Sequence, residues 1–575
     1  MERAFYYDGK GRPIQTVERS NDGWTGRYST KYDFTGNVLA TLESHTPPAP
    51  AAPDNPNQGN TSGTADELLS EYTYDKRGRM LSCALTLNGN AQRTVTYTYD
   101  GLGRLVTKEF CDSSGNVIAA ERWDRTLQGW VKSQNAEFLE EEFFSQILHY
   151  SDAASGTPLY SGAVSEVGWQ HGENGDSHRY AYSYDALGRL SGTSHLVNDE
   201  SVTSDLETGF SYDLQGNLLA LRRYGSLYNS FTGNHLENDL TYTYSDNKLA
   251  AIRDSALPDD AFMLEDNPGT VYEYACDCNG RITGDGHQDL GISYNILNLP
   301  KSIETEDGMP VEYTYLSDGT KYSVLHGNGQ ALRLYRGSFV YSAVYDESEY
   351  TVSDISLESV ATPEGRLYRD SSSTMDLWYV RDYLGNVRAI IDLGAQNLDS
   401  ALLEENDYLP CGTKISASQP SLTSNDYRYA GKEEQASVLG ASATLLDFGA
   451  RFYDPWACRW TTIDPMAGKY AGMSPYCYCA CNPVVFVDPD GSDWYQNNTT
   501  GRYSWFAGSD ELSGYTHKSD RFWSNGKYYS LFGAIVNEFD TEGNQLGLLF
   551  ESIDDLLISQ AKASKFVPQN SFCQD

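Results

Sequence analysis

The residues with most chemistry to offer in this 575-residue chain are acidic and lie late in it. Asp454-Pro455, Asp464-Pro465 and Asp488-Pro489-Asp490-Gly491 follow in order after Arg451. Two carboxylates brought close cannot both stay ionised. One keeps a proton and can act as a general acid while the other activates water, and an arginine can hold one of them charged or orient it. The same Asp-Pro pairs are also the ingredients of turns, with Asp accepting from the next amides and Pro fixing φ. On residue types alone, the turn reading comes first.

Other reactive side chains are sparse. Ten cysteines are scattered along the chain, and the closest groups, Cys276/Cys278 and Cys477/Cys479/Cys481, are spaced by two, tighter than zinc loops and, on a strand, a spacing that places them on one face. Disulfides or buried thiols are expected, with no metal and no cofactor. If disulfides form, they fit an extracellular destination. Past Gly491 the inventory thins to His517 and the pair Glu538 and Asp540, which on a strand reads as surface charge. No active site is assigned there.

The elements that must position these residues are strands. Tyr occurs 43 times against 20 Phe and 10 Trp, beside 51 Gly, a balance that favours strands punctuated by turns. The pattern Tyr-x-Tyr-Asp-x-x-Gly-Arg/Asn-aliphatic recurs at Tyr72 to Met80, Tyr97 to Leu105, Tyr182 to Leu190 and Phe210 to Leu218. Shorter copies begin at Tyr7 and Tyr32, and degenerate ones follow at Tyr242, Tyr272, Ile292 and Tyr313. Each copy reads as a β-hairpin: Tyr residues on a half-exposed strand, Asp accepting at the corner, Gly at positive φ, and Arg or Asn opening the return strand. One hairpin is marginal alone, so stacked hairpins are expected to bury a continuous sheet face in an all-β solenoid or wound shell. The Pro-rich stretch 46–64 reads as a surface loop. Phe138 to Leu148 reads as a short helix or a charge-guarded edge strand.

With 42 Lys and Arg against 80 Asp and Glu, the net charge is -38 and the field repels phosphate backbones, so nucleic acid is excluded as a partner of the repeats. No apolar run is long enough for a membrane-spanning helix, and the N-terminus carries no readable signal peptide. The abrupt start inside a repeat reads as an N-terminally truncated relative.

The tyrosine-aspartate hairpins resemble the YD repeats of Rhs proteins, Tc toxin C components, wall-associated proteins and teneurins. The second half resembles the Rhs repeat-associated core: Trp378 to Arg388 (Trp-Tyr-Val-Arg-Asp-Tyr-Leu-Gly-Asn-Val-Arg), Tyr408 to Gly412, Tyr427 to Glu433, then Gly449 to Pro455, Arg459-Trp460, Asp464-Pro465, Asn482-Pro483 and Asp488 to Gly491. The resemblance covers roughly residues 1 to 491. It implies a YD-repeat β shell over 1–376, an Rhs core over 377–491 and a variable C-terminal segment, 492–575, read as a small α+β unit with one helix at Ile553 to Ala563.

In that family the shell encloses a C-terminal effector and the core acts as an aspartyl autoprotease that severs it. The positions matching its protease residues are Arg451, Asp464 and Asp488. Relatives are cut after the hydrophobic residue that follows Asp-Pro-x-Gly. Here Gly491 is followed by Ser492, which offers a hydrophobic pocket little to hold. The function implied is a secreted polymorphic-toxin shell carrying its own C-terminal segment as cargo, with an immunity protein, a secretion apparatus or a cell-surface glycan as further partners. The alternative is an adhesion or glycan-binding scaffold without catalysis. Arg381, Asp382 and Arg388 read as a solvated hairpin pair, and the tyrosine rows as packing.

Overall fold

The computed structural model describes residues 2–48, 63–136, 143–172, 175–225, 236–256, 269–305, 310–327, 329–348, 351–370, 373–395, 401–415, 425–440, 443–468 and 472–491, and seven short strands between Trp494 and Leu548. Most of the expected 46–64 loop, the Glu140 to Glu142 run and the helix at Ile553 to Ala563 lie outside the described residues.

The fold is almost all β: thirty-two strands belong to one antiparallel sheet, and strands pair mainly with their sequence neighbours. Two compact units are distinguished, one formed by Met1–Asp124, Lys321–Tyr379 and Ile391–Leu402, the other by Arg125–Thr320, Val380–Ile390 and Leu403–Asp575.

In the first unit, Val38–Thr46, Asp66–Tyr74, Met80–Leu87, Asn90–Tyr99 and Leu105–Cys111 pair in succession. The 46–64 insertion therefore joins two paired strands, and Gly63 N donates to Pro47 O across its base at 3.3 Å. Alternation sends Cys83, Leu85 and Leu87 inward from one strand. The core gathers Trp24, Leu87, Phe339, Tyr341 and Val360, and Trp24 meets Tyr341 edge-on at 4.8 Å.

Each repeat corner is built as its residue types require. Asp75 Oδ1 accepts from Arg77 N (2.8 Å) and Arg79 N (3.0 Å), Asp75 Oδ2 accepts from Arg79 Nε (2.7 Å), and Gly78 takes φ +78°. The same corner recurs at Asp100 and, in the second unit, at Asp185, Asp213 and Asp277. At Asn295 to Leu299, Asn replaces Asp and Asn298 takes the glycine place at φ +62°, which keeps the turn although the motif is gone.

In the second unit the hairpins run through His178–Tyr184, Leu190–Val197, Leu206–Tyr212, Leu218–Tyr224, Leu236–Ser245 and Lys248–Asp254. The segment after Leu403 packs against their corners. Asn482 Nδ2 donates to Gly188 O (2.7 Å), Cys481 Sγ to Gly216 O (3.1 Å) and Tyr476 Oη to Gly280 O (2.6 Å). The repeats thus offer a row of glycine carbonyls that the later segment caps.

Candidate functional site

Arg451 stands just before the strand Phe452–Asp454, which pairs with Leu446–Asp447 on one side and Arg459–Trp460 on the other. Beneath it lies an aromatic floor. The Arg451 guanidinium carbon sits 4.1 Å from the centre of the Trp460 ring, and Trp460 packs edge-on against Phe448 (5.0 Å) and Tyr478 (5.5 Å). Such a floor fixes the planar guanidinium and leaves its edge to bind.

That edge meets all three groups that the resemblance implied. Arg451 Nη1 lies 3.3 Å from Asp464 Oδ2, Nη2 lies 3.4 Å from Asp488 Oδ2, and Nε donates to the Gly491 carbonyl at 3.0 Å. The arginine and Asp488 are buried, while the Asp464 side chain keeps 15% of its surface exposed in a cleft walled by Met473, Pro475, Cys477 and Val487. Burial pushes the Asp488 carboxyl up to about 7, with Asp490 and Asp464 adding to the rise and Arg451 opposing it. Asp488 therefore exchanges its proton near neutrality, as a general acid must.

The Asp-Pro turn reading holds for the same residues. Asp488 Oδ1 accepts from Gly491 N at 2.6 Å, and Asp464 Oδ1 from Met466 N at 2.6 Å. Each carboxylate spends one oxygen on its turn and aims the other at Arg451, so the two readings are not exclusive.

Lys432 was not singled out from sequence. Its ammonium donates to the Pro489 carbonyl, and burial pulls its pKa down against the pull of Asp490, Asp488 and Asp447. The resemblance placed it within the Tyr427 to Glu433 run, but nothing local marked it as a partner of the turn. One wall of the cleft is strained: Cys479, Ala480 and Cys481 take φ of +46°, +51° and +61°, a left-handed turn that costs on the order of 1 kcal/mol or more per non-glycine residue.

No family model matches the chain. Toxin subunit YenC1 of Yersinia entomophaga is 36% identical over 93 residues, 16% of this chain and 9% of that subunit. Toxin subunit YenC2 of the same organism is 34% identical over 108 residues, 18% of this chain and 10% of that one. The crystal structure of TcdB2-TccC3 superposes with a TM-score of 0.53 at 15% identity, covering 85% of this chain and 27% of that chain, a likeness of fold. Over these stretches the chain is similar to Tc toxin C-type subunits with tyrosine-aspartate repeats. Its matched stretches span about a tenth of the curated relatives' length.

Two expectations need correction. Arg388 is buried and the Asp382 side chain keeps only 7% of its surface exposed, so neither is solvated: Arg388 Nη2 pairs with Asp407 Oδ1 at 2.6 Å, and its guanidinium lies 5.0 and 5.1 Å from the rings of Phe144 and Trp169. Trp169 Nε1 donates to the same Asp407 oxygen at 2.8 Å. Burial alone would raise the Asp407 carboxyl, but Arg388 and His171 outweigh it and hold it well below the usual range. Hairpin periodicity cannot reveal this, because the groups that cover the pair come from distant parts of the chain. The cysteines at 477, 479 and 481 do not share a strand face either, since the last two stand in the left-handed turn. The nine described cysteines are free thiols.

Glu207, Cys411 and Cys458 bring potential ligand atoms within 4.8 Å of one another. Arg223 already lies against this group, donating from Nε to Glu207 at 2.8 Å and from Nη2 to the Cys458 sulfur at 3.3 Å. A cation there would face a buried guanidinium, so the cluster reads as an internal ion pair.

Proposed function

We propose that this chain is a toxin-subunit shell that carries its C-terminal segment, 492–575, as cargo and severs it by one intramolecular aspartyl cleavage near Gly491 and Ser492. The observation that carries this reading is the single guanidinium of Arg451, which touches Asp464, Asp488 and the Gly491 carbonyl at 3.3, 3.4 and 3.0 Å.

The chemistry follows from the two carboxyls. Asp488, protonated below about pH 7, supplies the proton the leaving amine needs, while Asp464, at the open side of the cleft, removes one from the attacking water. Because substrate and site share one chain, proximity supplies much of the barrier reduction, and one turnover is enough.

The relatives named as toxin subunits support a place within a larger toxin assembly and a route out of the producing cell. The tyrosine rows give less support to the glycan-binding alternative, because the second tyrosine of most repeats is engaged: Tyr99 Oη donates to Met80 O at 2.7 Å and Tyr244 Oη to Leu218 O at 2.7 Å.

The test is an intact mass of the purified full chain against its D464N variant. A break near Ser492 in the parent, lost in the variant, is the expected result. A parent that stays a single species of 63.9 kDa overturns the reading.

A further inference from the structure

Two thiols stand together where two segments of the second unit meet. Cys411 and Cys458 bring their sulfurs within 4.8 Å of each other, and their side chains hydrogen-bond. The backbones beside them are tied together: Tyr453 Oη donates to the Cys411 carbonyl at 2.8 Å, and Thr413 Oγ1 donates to the Pro455 carbonyl at 3.3 Å. The Glu207–Arg223 ion pair of the repeats holds both thiol residues from the other side. Glu207 Oε2 accepts from Cys411 N at 2.8 Å, and Arg223 Nη2 donates to the Cys458 sulfur at 3.3 Å. With the backbones fixed side by side, movement of the Cys458 side chain closes the remaining gap to a bond of about 2 Å.

The two sulfurs are not equivalent. Cys411 is buried, and burial together with its bond to Cys458 pushes its thiol up. Cys458 is half-buried in a tight turn at φ +52°, and its sulfur faces a guanidinium. A partly exposed, electropositive setting is where thiols are oxidised. Both residues line a cavity of about 30 Å³, room for about two water-sized molecules. Hydrogen peroxide is of that size, whereas a peptide disulfide such as oxidised glutathione is far larger. Cys477 and Cys481 line the same cavity and hydrogen-bond to each other, but the Cys481 sulfur is committed to the Gly216 carbonyl at 3.1 Å, where it holds a repeat corner.

We propose that Cys411 and Cys458 are a peroxide-sensitive dithiol that closes to a disulfide when the protein meets hydrogen peroxide. The Cys458 sulfur attacks one peroxide oxygen and the O–O bond breaks. The departing hydroxide takes the thiol proton and leaves as water, and Cys458 becomes a sulfenic acid. The Cys411 sulfur then attacks the Cys458 sulfur, and the sulfenic hydroxyl leaves with the Cys411 proton as a second water. Two thiols are oxidised, one peroxide is reduced, and a reducing thiol reverses the bond. The bridge staples the turn at Cys411 to the hairpin formed by Phe452–Asp454 and Arg459–Trp460, and so restricts the unfolded chain between them. Neither thiol takes part in the proposed cleavage.

The experiment treats the reduced full chain with a small excess of hydrogen peroxide, blocks the remaining thiols with N-ethylmaleimide, and maps the unreduced digest by mass spectrometry. Expected are peptides joined through Cys411 and Cys458, a loss of two titratable thiols that dithiothreitol restores, and a raised melting temperature. In C411S, dimedone should trap Cys458 as the sulfenic acid, and in C458S the Cys411 thiol should survive the same treatment. Cys411 and Cys458 both recovered as blocked thiols, or a Cys477–Cys481 bridge formed in their place, overturns the proposal. A bridge that leaves the melting temperature unchanged overturns the stapling role. Should either variant fail to fold, the joined peptides of the parent decide alone.

Discussion

Tyr212 Oη donates to the Leu190 carbonyl at 2.8 Å, and Arg189, the residue before Leu190, covers the Tyr212 ring at 4.7 Å. The phenol of one repeat thus satisfies the first carbonyl of the previous return strand, under the arginine that closes the previous corner. The hydrogen bond recurs at Tyr32 with Pro13, Tyr74 with Val38, Tyr99 with Met80, Tyr244 with Leu218, Tyr294 with Ile282 and Tyr408 with Val387, and the arginine cover at Tyr32, Tyr99 and Tyr294. It explains why the motif needs Tyr rather than Phe at its second aromatic position. Tyr212→Phe keeps the ring and orphans the Leu190 carbonyl, so a loss of about 1–2 kcal/mol is expected. A lowered melting temperature with unchanged circular dichroism would confirm it, whereas an unchanged melting temperature would show the hydroxyl to be idle.

The hairpins themselves were legible, because Asp at the corner and Gly at positive φ act within a few residues of each other. The links between hairpins were not, since they join residues such as Tyr212 and Leu190, set apart by a whole repeat. The site was legible only through resemblance: Arg451, Asp464 and Asp488 are brought together by the aromatic floor of Trp460 and by the capping of distant glycine corners, neither of which leaves a period in the sequence. Lys432 and the buried Arg388–Asp407 pair escaped for the same reason.

Buried His195 and its half-buried neighbour His178 give the fold an acid sensitivity. His195 Nδ1 donates to the Ser204 carbonyl at 2.7 Å, which leaves its Nε2 to accept from His178 Nδ1 at 3.2 Å, with Trp169 stacked on both rings. Burial, together with the neighbouring His178, pushes His195 down to about 4. Its folded pKa lies below its unfolded one, so this stability is fully present above about pH 6.5 and is lost as pH falls toward about 4, a change on the order of 3 kcal/mol. Asp454 and Asp488, both raised to about 7, act in the opposite sense, their contribution being lost as pH rises through about 7. Melting temperatures of the parent and H195Q, compared across that range, isolate the histidine term. The gap between them should narrow as pH falls, and a constant gap would refute the assignment.

Cleavage should follow the protonation of Asp488. Its carboxyl titrates at about 7, so the rate should be level below that pH and fall about tenfold per unit above it. D488N removes the transferable proton and should stop the reaction at every pH. Fragment yield over time, quantified by mass between about pH 6 and about pH 9, is the measurement. A rate that rises with pH would mean that Asp488 acts as the base instead.

The glycine corners that brace the site can be tested apart from its chemistry. Gly280 takes φ +79°, and a Cβ there would fall 2.3 Å from Tyr476 Oη and 3.0 Å from Ile463 Cδ1. Gly280→Ala must therefore adopt a left-handed backbone and also displace the phenol that donates to the Gly280 carbonyl, so a loss of at least about 2 kcal/mol is expected. Tyr476 lies next to Pro475, whose carbonyl accepts from Asp464 N at 3.0 Å, and beside Cys477 in the cleft wall. A displaced Tyr476 consequently shifts Asp464, and G280A should slow cleavage as well as lower the melting temperature. Gly89, whose added Cβ would meet nothing within 4 Å although its φ is +76°, supplies the comparison. G89A should lower stability by about 1 kcal/mol through backbone strain while leaving the cleavage rate unchanged. Equal effects of the two substitutions on cleavage would mean that the row of glycine carbonyls does not position the site.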